Sequence, residues 1–165
     1  KGFSINHYKT YKEILVNSAW PNSKKTFRYI IVNEGEQTPN HGKEAVIIKL
    51  PINNLVVMST TNIPALEYLD IDHKLVGFPN TSYITSKKTK QRVANGEIKD
   101  LNSNLEINME LLLELQPELV IGFSVNGNNK SLNQASIIFF AQHLANFFAK
   151  IFSIYLSILF INLKK

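Results

Sequence analysis

Short apolar runs separated by polar segments dominate the first fifty residues of the chain. Phe3 and Ile5 alternate with polar neighbours, and longer runs follow at 14–16, 27–32 and 45–50. Glu34–Gly42, rich in Gly, Pro, Asn and Thr, separates the last two runs. Alternation and short β-branched or aromatic runs bounded by turn residues are typical of strands. The pattern therefore predicts a β-rich extension over residues 1–50.

The pattern changes at Leu55–Asn62, where four apolar residues are followed directly by Ser, Thr, Thr and Asn. A run this short suits a strand buried on both faces rather than a helix. Asn62 is predicted to cap a helix, with Pro64 in its first turn. The residues expected to face inward from that helix are Ala65, Leu66 and Leu69.

The same strand-then-helix pattern returns further along the chain. Lys74–Phe78 and Leu119–Phe123 read as strands, and Gly96–Leu101 holds a brief extended piece. Between the last two, Asn108 is predicted to cap a helix that ends at Pro117 and buries Leu111, Leu112 and Leu115. Alternating strands and helices predict an open, mostly parallel sheet with right-handed crossovers. We assign this α/β lobe to residues 51–134.

The tail, residues 135–165, contains no acidic residue and is strongly apolar. Its polar residues, including His143 and Lys150, recur at steps of three and four, which predicts a C-terminal amphipathic helix. Such a stripe would favour self-association or contact with a membrane. A native helix and a truncated or frame-shifted reading frame both account for this composition.

Charge and composition limit the choice of partners. The net charge is +5, but residues 1–118 carry all 13 acidic residues against 14 Lys and Arg, so the excess lies in the tail. The only basic cluster, Lys87 to Arg92, is predicted to be a solvated loop, and no nucleic-acid partner is expected. The absence of cysteine excludes a disulfide framework. Because the sequence starts at Lys1, we expect that an upstream segment such as a signal peptide has been removed.

Signals for catalysis are weak. No glycine-rich nucleotide motif follows a predicted strand, and Asp70 and Asp72 read as turn and solvent residues rather than an acid–base pair. Ser59 is the best-placed nucleophile, but it lacks the Gly-x-Ser-x-Gly elbow. The histidines have no metal-ligand spacing; they are His7, His41, His73 and His143. Strand ends lined with hydroxyl, amide and aromatic side chains favour binding without catalysis.

Four segments occur in an order that characterises one family. They are Val57–Asn62, Leu75–Phe78, Gly96–Leu101 and Asn108–Gly122, the last of the form Asn-x-Glu-x-Leu-x-x-Leu-x-Pro-Glu-Leu-Val-Ile. Over residues 2–134 the chain resembles the N-terminal lobe of periplasmic substrate-binding proteins of ABC importers for iron–siderophore, haem and cobalamin complexes. Gly2–Ile5 and Trp20-Pro21 also resemble the N-terminal extension of the Bacteroidetes branch.

The resemblance implies two α/β lobes joined by a long helix, with a metal complex held between them and delivered to an ABC permease in the inner membrane. It implies a periplasmic location, possible lipid anchoring through the upstream segment, and no cofactor beyond the bound complex. Glu110 matches a surface glutamate that docks onto the permease. The implied ligand contacts lie at the strand ends: Ser59, Thr60, Thr61, Asn62, Phe78, Pro79, Asn80, Tyr83, Phe123 and Ser124.

Two departures from the family and two other functions stay open. Related sequences often have histidine where Asn62 stands, and neither a last strand of the first lobe nor a second lobe is recognisable after Gln134. One lobe is therefore expected to bind its ligand weakly. The alternatives are a small α/β hydrolase using Ser59 and an adhesion or interaction module that uses Trp20 and Tyr29. Hydroxamate and catecholate siderophores, haem and corrinoids fit the neutral strand ends equally well.

Overall fold

The computed structural model describes residues 3–17, 26–102, 107–122 and 138–139. Contacts divide the chain into two compact units, one containing Lys1–Pro51 and the other spanning Ile52–Phe140. Within the described ranges, no helix combines the length and the apolar character that a bilayer crossing needs.

The first unit contains a four-stranded sheet in the order β1-β2-β3-β4. Its strands are β1 (Phe3–His7), β2 (Tyr11–Asn17), β3 (Thr26–Val32) and β4 (Ala45–Lys49). The first two pairings are antiparallel, and β3 with β4 is parallel. The predicted β-structure is therefore confirmed for the described strands, while Trp20 lies outside the described residues.

Burial in this sheet bears on one residue of the interaction-module alternative, Tyr29. Tyr29 lies opposite Ile14 of β2 and Val46 of β4, and only 2% of its surface is exposed. Burial also raises the pKa of its hydroxyl well above the ordinary value. Tyr29 is thus a core residue, and it does not offer the binding surface that the interaction-module alternative would use.

A polar cluster is built on the same sheet around Glu13, which is 7% exposed. Its two carboxylate oxygens accept hydrogen bonds from Asn6 Nδ2 at 2.8 Å and Arg28 Nε at 2.6 Å. These bonds lower the pKa of Glu13, with the bond from Asn6 contributing most. Nearby, the rings of Tyr8 and Tyr11 stack with their centroids 4.3 Å apart. The cluster is internally satisfied, so its polar groups stabilise the sheet.

The second unit is built on a five-stranded sheet in which every pairing is parallel. The order is β7-β6-β5-β8-β9. The strands are β5 (Leu55–Val57), β6 (Leu75–Phe78), β7 (Lys99–Asp100), β8 (Leu119–Gly122) and β9 (Ile138–Phe139). The prediction of a parallel sheet is therefore confirmed. The chain moves outward from β5 to β7 and then returns to the other side of β5.

Three helices connect the first four strands of this sheet: α1 (Ile63–Tyr68), α2 (Lys87–Ala94) and α3 (Met109–Glu114). Since crossovers in parallel sheets are right-handed, the reversal after β7 places α3 on the face opposite α1 and α2. Under α3 lies a core of Val56, Leu101, Leu112 and Val120, with Leu111 and Leu115 packed against it. In α1 the buried residues are Ile63 and Leu66.

The two predicted helix caps differ in outcome. The Asn108 side chain accepts a hydrogen bond from the Leu111 N–H at 3.0 Å, so this cap is confirmed. Asn62 precedes α1 but makes no side-chain cap bond. Its backbone is already helical, at φ −84° and ψ −25°, because a 3-10 turn (Thr60–Asn62) comes before α1. The hydroxyl of Ser59 caps that turn instead.

The basic cluster is a helix, so its assignment to a solvated loop is wrong. Ser86 caps α2 by accepting a hydrogen bond from the Thr89 N–H at 3.2 Å. Arg92 pairs with Glu97 at 2.8 Å. Its guanidinium also donates to three backbone carbonyl oxygens just before and at the start of β6, those of Asp72, His73 and Leu75. These tertiary contacts hold a helix that has little apolar surface of its own.

Asp72 is the second correction in this region. Asp70 is exposed in a turn at φ 56°, as predicted, but Asp72 is only 2% exposed. Its Oδ1 accepts a hydrogen bond from Lys88 Nζ at 2.7 Å, and its buried Oδ2 has no partner among the described atoms. This bond is the main cause of the raised pKa of Lys88. Asp72 is therefore a buried anchor for α2 rather than a solvent residue.

Strand β9 corrects the reading of the tail. Ile138 lies beside Ile121, and Phe139 beside Gly122, in a parallel pairing at the sheet edge. The predicted amphipathic helix therefore does not include these two residues, and a strand does follow Gln134. The other residues of the tail lie outside the described ranges, and the domain boundary at 134 stays a prediction.

Replacing Gly77 with alanine tests the packing of α3. A Cβ there would lie 2.9 Å from Leu115 Cδ1 and 3.3 Å from Val56 Cγ2. Because both neighbours belong to the core under α3, we expect Gly77→Ala to lower the free energy of unfolding by about 1–3 kcal/mol in urea denaturation followed by circular dichroism. Gly42→Ala is the control, since no atom lies within 4 Å of its Cβ position. Equal stability of the two variants would contradict this packing.

Removing the charge of Lys88 tests the buried anchor. Lys88→Met leaves the buried Asp72 carboxylate without its cation, so the urea midpoint of the variant should fall. Lys87→Met changes an exposed neighbour on the same helix and should leave the midpoint unchanged. Because the folded pKa of Lys88 is raised, its stabilisation is complete below the unfolded pKa of about 10.4 and is lost as pH rises through the higher folded value. The difference between Lys88→Met and the wild type should therefore shrink at high pH.

Candidate ligand-binding site

The reversal of strand order fixes where a ligand would bind in the second unit. In open α/β sheets, ligands bind beyond the carboxyl ends of the strands, where the strand order reverses. Here that point lies between β5 and β8. It is bordered by Ser59–Asn62 and by the end of β8 at Gly122. The predicted contacts Phe123 and Ser124 lie outside the described residues.

The loop after β5 is a compact, hydroxyl-rich turn. The Met58 N–H donates to the carbonyl of Ile121 at 2.9 Å, which ties the start of the loop to β8. Ser59 Oγ lies 2.8 Å from Thr61 Oγ1 and accepts the Thr61 N–H at 3.3 Å. Thr61 is exposed, whereas Ser59, Thr60 and Asn62 are half-buried. The loop thus presents neutral hydroxyl and amide groups from a fixed backbone.

The hydroxyl of Ser59 has a structural role. Within the described part of the chain its hydrogen bonds go to Thr61 and cap the 3-10 turn. No histidine within that part is bonded to it as a general base would be.

The loop after β6 has a buried base and an exposed tip. Phe78 is 2% exposed and Pro79 is buried, so their predicted ligand contacts would require a rearrangement. Asn80 follows with a left-handed backbone at φ 56°, and the 3-10 turn Thr81–Tyr83 begins there. The Tyr83 N–H donates to the Asn80 carbonyl at 3.1 Å, and the Tyr83 side chain is 67% exposed. Tyr83 is therefore the aromatic surface of this loop.

Asp100, which sequence reasoning did not select as a site residue, holds this loop. Its Oδ2 accepts both the Thr81 N–H at 2.8 Å and the Thr81 hydroxyl at 2.6 Å. Its Oδ1 accepts the Asn102 N–H at 2.8 Å. Burial acts to raise the pKa of Asp100, but these hydrogen bonds outweigh it and the pKa is lowered. From the sequence, Asp100 could be placed near the end of the extended piece Gly96–Leu101, but its position beside the loop after β6 follows only from the pairing of β6 with β7.

Glu110 is exposed in the first turn of α3. The Asn108 N–H donates to the Leu101 carbonyl at 2.9 Å, immediately after β7. The helix therefore begins at the carboxyl edge of the sheet, where the two loops also lie. Glu110 and the predicted ligand contacts within the described residues share that edge.

Resident metal ligands are not apparent in this region. Among residues 3–17, 26–102 and 107–122, no three His, Cys, Asp or Glu side chains come together in a way that could hold a metal ion.

Comparison with protein families agrees with this geometry. The family model described as "Periplasmic binding protein" matches residues 55–153. The chain belongs to the periplasmic binding protein family. The matched segment includes every described strand of the parallel sheet, and it extends into the tail beyond residue 134.

Two individual proteins resemble this family member over part of their length. The crystal structure of CeuE from Helicobacter pylori in a nickel–histidine complex has a TM-score of 0.53 and 24% identity, covering 68% of this chain and 38% of CeuE. An uncharacterized lipoprotein of Methanocaldococcus jannaschii is 22% identical over 104 residues. That alignment covers 56% of this chain and 25% of the lipoprotein. The chain therefore spans well under half the length of both proteins.

The acid titration of Asp100 tests its contacts. Because its pKa is lowered in the folded protein, its stabilisation of the loop is present above the unfolded pKa of about 3.9 and is lost as pH falls through the lower folded value. The amide signals of Thr81 and Asn102, followed by NMR during acidification, should shift together with a midpoint below 3.9. Asp100→Asn should abolish that transition. A midpoint at or above 3.9 would contradict the assignment.

Proposed function

We propose that this chain supplies one lobe of a substrate-binding protein that captures a metal complex and delivers it to an ABC permease. The observation that supports this most is the pair of loops at the carboxyl edge of the parallel sheet, in a member of the periplasmic binding protein family. The family is one of binding proteins rather than enzymes, and the capping role of Ser59 offers no support for the hydrolase alternative.

The chemistry of the edge favours a preformed complex over a bare cation. Hard cations prefer several carboxylate or carbonyl oxygens, and transition metals prefer thiolate or imidazole. The two loops instead offer hydroxyls, amides and the exposed Tyr83 ring. Such groups contact the organic periphery of a chelate. The ligand classes we propose are hydroxamate or catecholate siderophore complexes, haem and corrinoids.

The proposed setting is extracytoplasmic, as the family implies, with the permease in the inner membrane. By analogy with the lipoprotein relative, we extend this to possible anchoring by a lipid on an upstream segment. No role in nucleic-acid binding is proposed, because Lys88 and Arg92 of the basic helix are engaged by Asp72 and Glu97.

Ligand binding can be tested on the 165-residue chain by NMR. One lobe buries only one side of a ligand, so binding should be weak, with a dissociation constant on the order of millimolar. Diamagnetic probes suit this range: gallium(III) complexes of a tris-hydroxamate and of a tris-catecholate, gallium protoporphyrin IX, and cyanocobalamin. At least one probe should shift amide signals within Ser59–Asn62 and Asn80–Tyr83 and leave those of β1 and β2 unchanged.

A matched pair of tyrosines provides the control. Tyr83→Ala should weaken that binding, whereas Tyr68→Ala, which changes a tyrosine 77% exposed at the end of α1, should not. Absence of shifts with every probe, or shifts confined to the first unit, would refute the proposed site. Submicromolar affinity would contradict the view that one lobe provides only part of the site.

Permease docking is tested at Glu110 with the partner permease in lipid nanodiscs and the protein in its complete form. Glu110→Ala should weaken association by up to about fivefold, because an exposed ion pair contributes about 0.2–1 kcal/mol. Ligand affinity should not change. Glu114→Ala removes another exposed carboxylate of the same helix and is the control. A large loss of ligand affinity on Glu110→Ala would refute the docking role.

A further inference from the structure

The loop that carries Tyr83 is held by a neighbouring strand as well as by its own turn. Phe78, the last residue of β6, lies beside Asp100, the last residue of β7. The Leu101 N–H donates to the Phe78 carbonyl at 3.0 Å, which extends the pairing to the point where the loop begins. From that position the Asp100 carboxylate bonds both donors of Thr81. The exit of β6 is therefore fixed from β7.

Only a carboxylate can make this set of bonds. Oδ2 accepts two hydrogen bonds from Thr81, and Oδ1 accepts a third from the Asn102 N–H. An asparagine side chain has a single acceptor oxygen, and its NH₂ group would face a donor. Replacing Asp100 with asparagine must therefore break bonds on one side, although the size of the side chain hardly changes.

The backbone around these bonds explains why they matter. Asn80 precedes the donor Thr81, and Asn102 is itself a donor to Asp100. Both residues have left-handed backbones, at φ 56° and φ 45°. Residues other than glycine rarely adopt this conformation unless surrounding contacts hold them there. The carboxylate supplies such contacts on both sides, and the direction of the Tyr83 side chain depends on the turn that starts at Asn80.

We propose that Asp100 is a positioning residue of the ligand site, fixing Asn80–Tyr83 in the conformation that binds ligand without itself contacting the ligand. The part of this proposal that concerns ligand affinity rests on the proposed function. Asp100 is half-buried and its two oxygens already accept three hydrogen bonds, so its role is exerted through Thr81. Specificity at this end of the site would then depend on a residue of β7 that lies behind the binding surface.

The loop part is tested by hydrogen exchange on the full 165-residue chain. Asp100→Asn should speed exchange of the Thr81 and Tyr83 amides by about tenfold or more, since bonds to a charged group contribute about 1.5–3 kcal/mol. Exchange in α3 should rise by no more than the fall in global stability, measured from the urea midpoint, accounts for. Thr81→Val, which removes only the hydroxyl, should give a smaller increase, and Thr81→Ser should restore the wild-type rate. Glu114→Gln, a carboxylate-to-amide change on an exposed surface, is the control.

The ligand part uses whichever of the four diamagnetic probes shifts the Tyr83 signal in the wild type. Asp100→Asn should raise the dissociation constant of that probe about as much as Tyr83→Ala does, and Glu114→Gln should leave it unchanged. Faster exchange with unchanged affinity would overturn the proposal, as would unchanged exchange. If Asp100→Asn fails to fold, the comparison of Thr81→Val with Thr81→Ser decides the same question.

The two proposals fail in different ways. If no probe binds the wild type, the proposed function fails, and the ligand role of Asp100 fails with it. The exchange rates of Asp100→Asn then still decide whether Asp100 orders the loop.

Discussion

Burial of β5 on both faces is the constraint on which the second unit depends. Leu55, Val56 and Val57 are each at most 2% exposed, and the strand pairs with β6 on one side and β8 on the other. A three-residue strand in this position needs cover above and below, which α3 and the helices of the first two crossovers provide. The reversal of strand order next to β5 follows from that arrangement, and the candidate site lies where the reversal occurs. Fold and site thus have one origin.

The sequence was informative where the structure is governed by local pattern. The runs at β5, β6 and β8 and the cap at Asn108 could be read directly, because burial on both faces and an Asn before an apolar helix leave clear signals. Helix α2 could not be read, since Val93 is one of its few apolar residues and its stability depends on Asp72 and on carbonyls far away in sequence. The two residues of β9 were assigned to a helix because short apolar runs fit either structure.

The candidate site shows the same division. Hydroxyl and amide residues directly after strands could be selected from the sequence, and the structure places those within the described ranges at one edge of the sheet. Phe78 was selected as well, but it is the last residue of a strand and its side chain is buried in the core. Asp100 could not be selected, because its importance depends on β7 lying next to β6, a fact of topology rather than of spacing. Asn62 was selected as a helix cap, but its side chain makes no cap bond to α1, and the Ser59 hydroxyl caps the 3-10 turn that comes before that helix.

Gly77 affects the register in which β6 pairs within the sheet. In a strand that is apolar on both faces, hydrophobicity alone does not distinguish one face from the other, so a slip by one residue would cost little in burial. Because residue 77 has no side chain, the side chain of Leu115, the residue that follows α3, occupies the space where a Cβ would lie. Only one alignment of β6 brings Gly77 under Leu115. The missing side chain of Gly77 therefore specifies the register of β6. It also specifies where the chain leaves the sheet to form the loop of Tyr83.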